Sequence, residues 1–301
     1  IFDLMVTERA TGETRRLVKR VDYRVSWSPD SESIVYVRRP ERNPRFYDIY
    51  IYDLAADSER RISKGLRAHD PGFSPDGSSI VFVRSEGGNT SLALMDSDGS
   101  DIRYLSSTHD GTQFYTPSFS PDGARILFSL YRQNFDRDIA VIDAGSPTYR
   151  YQWEIADSTT AFSDSMSFAA GSNFRVLAGS TADERDPCWL PGSSGIAYVT
   201  DRSGVFNVYC LDPATGRTKK LTDVQGGAFI PSAGSDGSVY YALFKGNDFS
   251  IYRTESTAVI ETVTQNVLAR DYLKQPDAFD LSKHFDVSPY RRRRVVNAVV
   301  P

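Results

Sequence analysis

Residues 26–37 read SWSPDSESIVYV, and the same pattern returns as GFSPDGSSIVFV at 72–83 and SFSPDGARILFS at 118–129. Pro29, Pro75 and Pro121 stand 46 residues apart in both steps, a period that belongs to a whole structural unit rather than to a short motif. Degenerate copies follow as CWLPGSSGIAYV at 188–199 and FIPSAGSDGSVYYALF at 229–244. In Ser-Pro-Asp-Gly the proline presets φ near −65°, the aspartate bonds its own backbone, and the glycine takes the positive φ of a hairpin. The turn therefore joins two antiparallel strands. A third alternating run comes next in each unit (DIYIYDL at 48–54, SLALMDS at 91–97, DIAVIDA at 138–144, FNVYCLD at 206–212). A fourth, shorter run closes three of them (ERRIS, DIRYLS, RTKKLT).

Four short antiparallel strands in about 40–46 residues describe a β-propeller blade. One such sheet cannot bury both faces alone, whereas radial packing of blades buries them and leaves only short edges. The fold class is all-β, with five readable blades at about 22–63, 68–107, 113–150, 183–222 and 225–263. Residues 2–18 read as the last two strands of a further blade, which makes six. Its first two strands come either from the C-terminal segment or from a longer parent chain, and the second is the better fit. Pro121 and Pro191 are 70 residues apart, which places an insertion at 151–182. TQNVLARDYLKQ at 264–275 has helical character, and residues 264–301 read as a helix and a basic linker, with Arg291 to Arg294 in one run.

The 301 residues carry 35 Lys and Arg against 39 Asp and Glu, for a net charge of −4. An acidic body argues against nucleic acid as the main partner. With 40% hydrophobic and 25% charged residues the composition is that of a folded globule. No run approaches 18 apolar residues, so no membrane-spanning helix is expected. No signal peptide is visible at Ile1.

The WSPD and FSPDG segments, each followed by an apolar run and a DIYIYDL-type strand, resemble the TolB-like propeller repeat over roughly residues 1–263. That resemblance implies a six-bladed propeller of the bacterial cell envelope, periplasmic or associated with the outer membrane. It also implies binding of other envelope proteins, or of further domains of the same chain, rather than catalysis. The C-terminal FDVSPYRRRRVVNAVVP is similar to linkers that lead from such propellers into outer-membrane barrels, which would give an indirect membrane connection. An oligomer is compatible with all of this. Related propellers also occur in prolyl-oligopeptidase-like serine peptidases, where they gate substrate entry. Those enzymes need a Gly-x-Ser-x-Gly elbow, and no serine here has glycine at both −2 and +2.

In a propeller the loops entering the innermost strands gather on one face, around the central channel. His69-Asp70 and His109-Asp110 enter the innermost strands of their blades, and Asp22, Glu184, Asp186 and Asp223 occupy equivalent loops. An acidic collar with two imidazoles has donors for a divalent cation such as calcium, or for a basic peptide, and a propeller enzyme with a cation at the channel mouth is a further alternative. The plainer reading is that these aspartates cap turns. No zinc signature is present, and neither a cofactor nor a catalytic residue is assigned. Asp96-Ser-Asp98-Gly99-Ser-Asp101 has the look of a calcium loop, but it falls where each blade turns between its third and fourth strands. Trp153, Phe162, Phe168 and Phe174 in the insertion are candidates for a partner surface, or else they tuck against the blade. The basic loop RRPERNPRFYD at 38–48 suits an acidic partner, or is simply solvated. Cys188 and Cys210 flank one strand of the same blade. Next-but-one strands lie about 9–10 Å apart, beyond disulfide reach, so two inert thiols are expected.

Overall fold

The computed structural model describes residues 2–8, 10–41, 46–86, 88–107, 111–132, 136–146, 149–150, 174–257 and 261–264. Strand β1 (Phe2–Thr7) pairs with the first half of a long β2 (Thr14–Trp27). The second half of β2 is the innermost strand of the first sheet, followed outwards by β3 (Ser33–Arg38), β4 (Asp48–Asp53) and β5 (Ser58–Arg61). The second sheet is β6 (Ala68–Phe73), β7 (Ser79–Glu86), β8 (Asn89–Asp96) and β9 (Arg103–Ser107). The third begins with β10 (Gln113–Phe119), β11 (Arg125–Tyr131) and β12 (Arg137–Asp143). After β12 the chain adds β13 (Tyr149–Arg150) to the outer edge of β9 in the previous blade. It then returns as β14 (Arg175–Ala178) to complete its own sheet on β12.

The fourth sheet is β15 (Glu184–Trp189), β16 (Ile196–Thr200), β17 (Asn207–Leu211) and β18 (Arg217–Lys220). The fifth has three strands among the described residues, β19 (Ala228–Ala233), β20 (Ser238–Lys245) and β21 (Asp248–Glu255). Strand β22 (Glu261–Thr264) pairs with β18 of the fourth sheet. The described residues thus form five propeller sheets plus the hairpin over residues 2–21, which continues into the first sheet through β2.

Two sequence boundaries move. The third blade does not end at 150: its fourth strand is Arg175–Ala178, inside the stretch assigned to the 151–182 insertion. The extra residues therefore interrupt the blade between its third and fourth strands. The apolar run Val176-Leu177-Ala178 serves both faces of the blade, Val176 packing towards the second blade and Leu177 and Ala178 towards the fourth. The fifth blade does not close within 225–263, because Glu261–Thr264 extends the neighbouring sheet instead. The helix and basic linker expected at 264–301 lie outside the described residues, apart from Thr264, which ends β22.

Period-two alternation explains the packing. Val35, Val37, Ile49 and Ile51 face the second sheet, where Ile80, Phe82, Ala93 and Met95 meet them. The intervening Ile34, Tyr36, Tyr50 and Tyr52 turn the other way, onto Leu4, Val18 and Val21 of the hairpin. The same division recurs down the chain. Val81, Val83, Leu92 and Leu94 meet Ile126, Phe128 and Ala140. Leu127, Ile139 and Val141 meet Ile196, Tyr198 and Tyr209. Val199 and Val208 meet Val239, Tyr241 and Leu243. Each fully buried side chain of this size contributes about 1.5–3 kcal/mol, so the layers between sheets are the main source of stability. The far face of the fifth sheet differs, because Phe249 and Ile251 on β21 stay 40% and 43% exposed.

Polar clips repeat along with the strands. In the Ser-Pro-Asp turns, Asp30, Asp76 and Asp122 accept from the hydroxyls of Ser28, Ser74 and Ser120 and from the amides of Glu32, Ser78 and Ala124. At the start of the third strand, Asp48 Oδ1 accepts from Ser63 Oγ and the Leu66 amide, both at 3.0 Å. Asn207 Oδ1 does the same for Thr222 Oγ1 and the Val224 amide, both at 3.0 Å. These clips pin the chain where it leaves one blade for the next.

Candidate functional site

Antiparallel order sets which loops share a face. The start of each innermost strand, the loop between second and third strands, and the exit of the fourth strand fall at one end of the blades. The Ser-Pro-Asp turns and the turns between third and fourth strands fall at the other. His69, Asp186, Asp223 and the described parts of the 38–48 loop, residues 38–41 and 46–48, therefore belong to one rim.

Each innermost strand carries the same irregularity just inside this rim. Its register slips between Asp22 and Ser26, His69 and Gly72, Tyr115 and Ser118, Arg185 and Cys188, and Phe229 and Ser232. In the last four the slip holds a residue at positive φ before a proline: Asp70 (51°), Thr116 (51°), Asp186 (52°) and Ile230 (51°). A residue before proline ordinarily stays extended, so these bulges are held against local preference. The Asp-Pro, Thr-Pro, Asp-Pro and Ile-Pro pairs were a readable signal that the SPDG repeat overshadowed. The first blade has Tyr23-Arg24 there, with Tyr23 itself at φ 64°.

The bulges explain where the collar residues go. Asp70 is buried: its carboxylate accepts from the amides of Arg24 (3.3 Å) and Thr116 (3.0 Å) and lies 3.3 Å from His69 Nδ1. Burial alone would raise its pKa. The hydrogen bond and charge of His69, the Thr116 amide and Arg24 outweigh that and hold the carboxyl below its usual range. Asp70 is thus the clamp of three neighbouring innermost strands rather than an open ligand. Asp186 is buried against Arg185 Nε at 3.3 Å. Asp223 is exposed and bonds Lys220 Nζ at 2.6 Å, and Asp22 is half-buried on β2.

Glu184 is fully buried, with Ser180 Oγ at 2.5 Å and Arg202 at 3.7 Å, and burial pushes its pKa up to about 7. The carboxylates are dispersed by these separate partners. Among the described residues no three His, Cys, Asp or Glu side chains are placed to hold a metal ion. His109, Asp110, Trp153, Phe162 and Phe168 lie outside the described residues. Phe174 is half-buried: its ring sits edge-on to Phe114 and Phe128 at 6.2 and 5.8 Å and packs against the core between the second and third blades. The Asp96–Asp101 loop is the β8–β9 turn, closed by the Gly99 amide on the Asp96 carbonyl (2.8 Å) and the Ser100 amide on Asp98 (2.8 Å).

What the rim does present is aromatic and basic. Tyr23 is 50% exposed, stacked on His69 at 5.0 Å and 24°, with Tyr47 edge-on at 5.1 Å. The Arg39 guanidinium lies 4.6 Å from the Tyr47 ring centre and donates to its hydroxyl at 2.9 Å. Arg67, at φ 57°, lies 4.2 Å from the ring centre of Phe46. The Ala68 amide bonds the Tyr47 carbonyl at 3.2 Å, which locks the two loops side by side. Beside this ledge a polar cleft of about 1050 Å³ opens between the hairpin and the first sheet, lined by Arg20, Asp22, Arg38, Arg39 and Glu59. The basic 38–48 loop signalled part of this ledge in the sequence. Tyr23 carried no signal, because its exposure depends on the bulge.

The two thiols are free. Cys188 and Cys210 both register with Ala197, on the strands either side of it, and burial pushes the Cys188 thiol up to about 12.

Comparison with known proteins places this geometry. A family model described as the TolB beta propeller domain matches residues 2–162. Dipeptidyl-peptidase 5 of Porphyromonas gingivalis is 40% identical over 68 residues, 20% of this chain and 10% of that protein. The Tol-Pal system protein TolB of Anaeromyxobacter dehalogenans is 33% identical over 82 residues, 27% of this chain and 18% of that protein. The chain thus matches less than a fifth of the length of either relative. The solved structure of a putative TolB from Agrobacterium tumefaciens superposes with a TM-score of 0.63 at 18% identity, covering 86% of this chain and 87% of that one.

Proposed function

The chain belongs to the TolB β-propeller family, and we propose that it serves as a non-catalytic interaction module of a bacterial cell envelope. It binds a protein partner, or another domain of its own parent chain, through the rim that carries Tyr23 and Tyr47. The observation that carries this reading is the exposed aromatic ledge at the mouth of the blades. Tyr and Arg are the residue types that dominate binding energy at protein interfaces, and rings left half-open on a rigid strand cost little ordering on association. A nucleophile elbow is missing from the sequence, and the buried carboxylates are engaged in holding strands together.

The match to a dipeptidyl-peptidase segment favours a second reading, in which the same rim faces a peptidase domain and filters its substrates. The intact mass of the native protein, with peptide maps of both ends, separates the two. Photoreactive residues at the exposed rim positions Glu41 and Lys64, with Asp98 at the opposite end as control, test the interaction itself in native envelopes. Discrete protein adducts from the rim alone are expected. Equal labelling from Asp98, or none from the rim, overturns the reading.

A further inference from the structure

We propose that the Tyr23–Tyr47 ledge, backed by buried His69 and edged by Arg39 and Arg67, is a docking site for an acidic, extended segment of a partner protein. The inference rests on the interaction reading above and names the chemistry of what docks. Its first support is charge. Arg15, Arg16, Arg38, Arg61 and Arg103 each sit within 4 Å of a carboxylate. Arg39 and Arg67 instead lie over rings, and neither has a carboxylate partner among the described residues. Each guanidinium so held keeps part of its planar fork free, the geometry that accepts a carboxylate through two parallel hydrogen bonds.

The second support is the fate of the nearby acids. Asp70 is buried and saturated by amides, and Asp48 is buried beneath Arg61 and Ser63. Among the described residues, Glu59 in the adjoining cleft is held by Arg38, while half-buried Asp22 and exposed Glu41 also lie beside the ledge. The third support is the strained backbone of Tyr23. Its φ of 64° turns the ring out of the strand and onto His69. The bulge itself recurs in every innermost strand, and in the first blade the residue it turns outward is an aromatic. The ledge therefore offers an apolar step between two cations. That matches a segment in which carboxylates alternate with an aromatic or aliphatic side chain. Nucleic acid fits less well, because two guanidinium groups neutralise few phosphates and the chain as a whole carries −4.

The test uses the full chain and fluorescein-labelled peptides of a Glu-Phe-Glu-Leu repeat, with the same peptide carrying Gln or Lys for Glu, read by anisotropy. The acidic peptide is expected to bind, to weaken at least about tenfold as its Gln form, and to weaken with added salt. Arg39→Glu with Arg67→Glu should abolish binding, and Tyr23→Ala should weaken it about tenfold, both with an unchanged circular dichroism melt. Equal binding of the Gln peptide, binding that survives the double arginine change, or tighter binding of oligothymidylate or anionic vesicles overturns the proposal. Failure of the acidic peptide while rim photoadducts still form refutes this inference alone. Failure of both removes the interaction reading as well.

Discussion

Replacing Asp70 tests whether the buried collar holds the blades together. In Asp70→Ala the amides of Arg24 and Thr116 lose their acceptor inside the protein. A buried donor left unpaired costs about 1–3 kcal/mol. Alanine must also occupy the left-handed conformation that aspartate and asparagine visit more readily, at about 1–2 kcal/mol. Water entering from the rim offsets part of this, so a loss of about 3–5 kcal/mol is expected. Asp70→Asn keeps the backbone preference and one acceptor but turns an NH2 towards the other amide, for about 1–3 kcal/mol. The assay is urea unfolding followed by far-ultraviolet circular dichroism and aromatic fluorescence. The order wild type, Asn, Ala is the signature of a strand clamp. An Ala variant within about 1 kcal/mol of wild type, below the cost of one unpaired amide, would refute the reasoning. Acid supplies a second check. The folded carboxyl is held below its unfolded value, so its contribution is present above about pH 4 and fades as pH falls through the lower folded value. The gap between wild type and Asp70→Asn should narrow there.

Three further outcomes follow from neighbouring features. Burial pushes Glu184 from 4.5 up to about 7 in the folded chain, so its contribution is full below pH 4.5 and is lost as pH rises towards 7. Melting temperatures of Glu184→Gln should lack that decline, and a parallel pH profile in both proteins would contradict the assignment. A Cβ at Gly99, where φ is 96°, would lie 2.1 Å from the Ile62 carbonyl oxygen. Gly99→Ala should therefore cost about 2–4 kcal/mol in the same urea assay, and a neutral effect would mean the β8–β9 turn does not press on the first blade. Cys188 and Cys210 should resist an aromatic disulfide reagent in the native state and react fully in guanidinium, with rapid native labelling as the contrary result.

The repeat made the blades legible because turn chemistry and period-two alternation are local. The Ser-Pro-Asp segments form the turns they announced, and the Val and Ile runs that follow form the strands. Pairing between distant segments was not legible. Arg175–Ala178 completes a blade from beyond an interruption, and Glu261–Thr264 joins a neighbour, choices set by which sheet edge is open rather than by the strand's own residues. The rim divided in the same way. A basic loop could be seen as a loop, and histidines and aspartates could be counted. Whether a carboxylate ends up saturated, like Asp70, or an aromatic ends up outward, like Tyr23, depends on a bulge that exists only once the blades pack. Phe174 shows the converse, an aromatic beside an insertion that packs against the core because β14 draws it in.

The short strands β13 and β22 have a consequence for how the molecule comes apart. Each leaves its own blade and pairs on the outside of the preceding one, β13 on β9 and β22 on β18. A stack of sheets that met only face to face would peel one blade at a time, with each neighbour losing no more than a contact layer. Here the second blade cannot detach without stripping a strand that is continuous with the third, and the fourth is tied in the same way to the fifth. Pulled from its ends or nicked by a protease, the chain should yield in blade pairs.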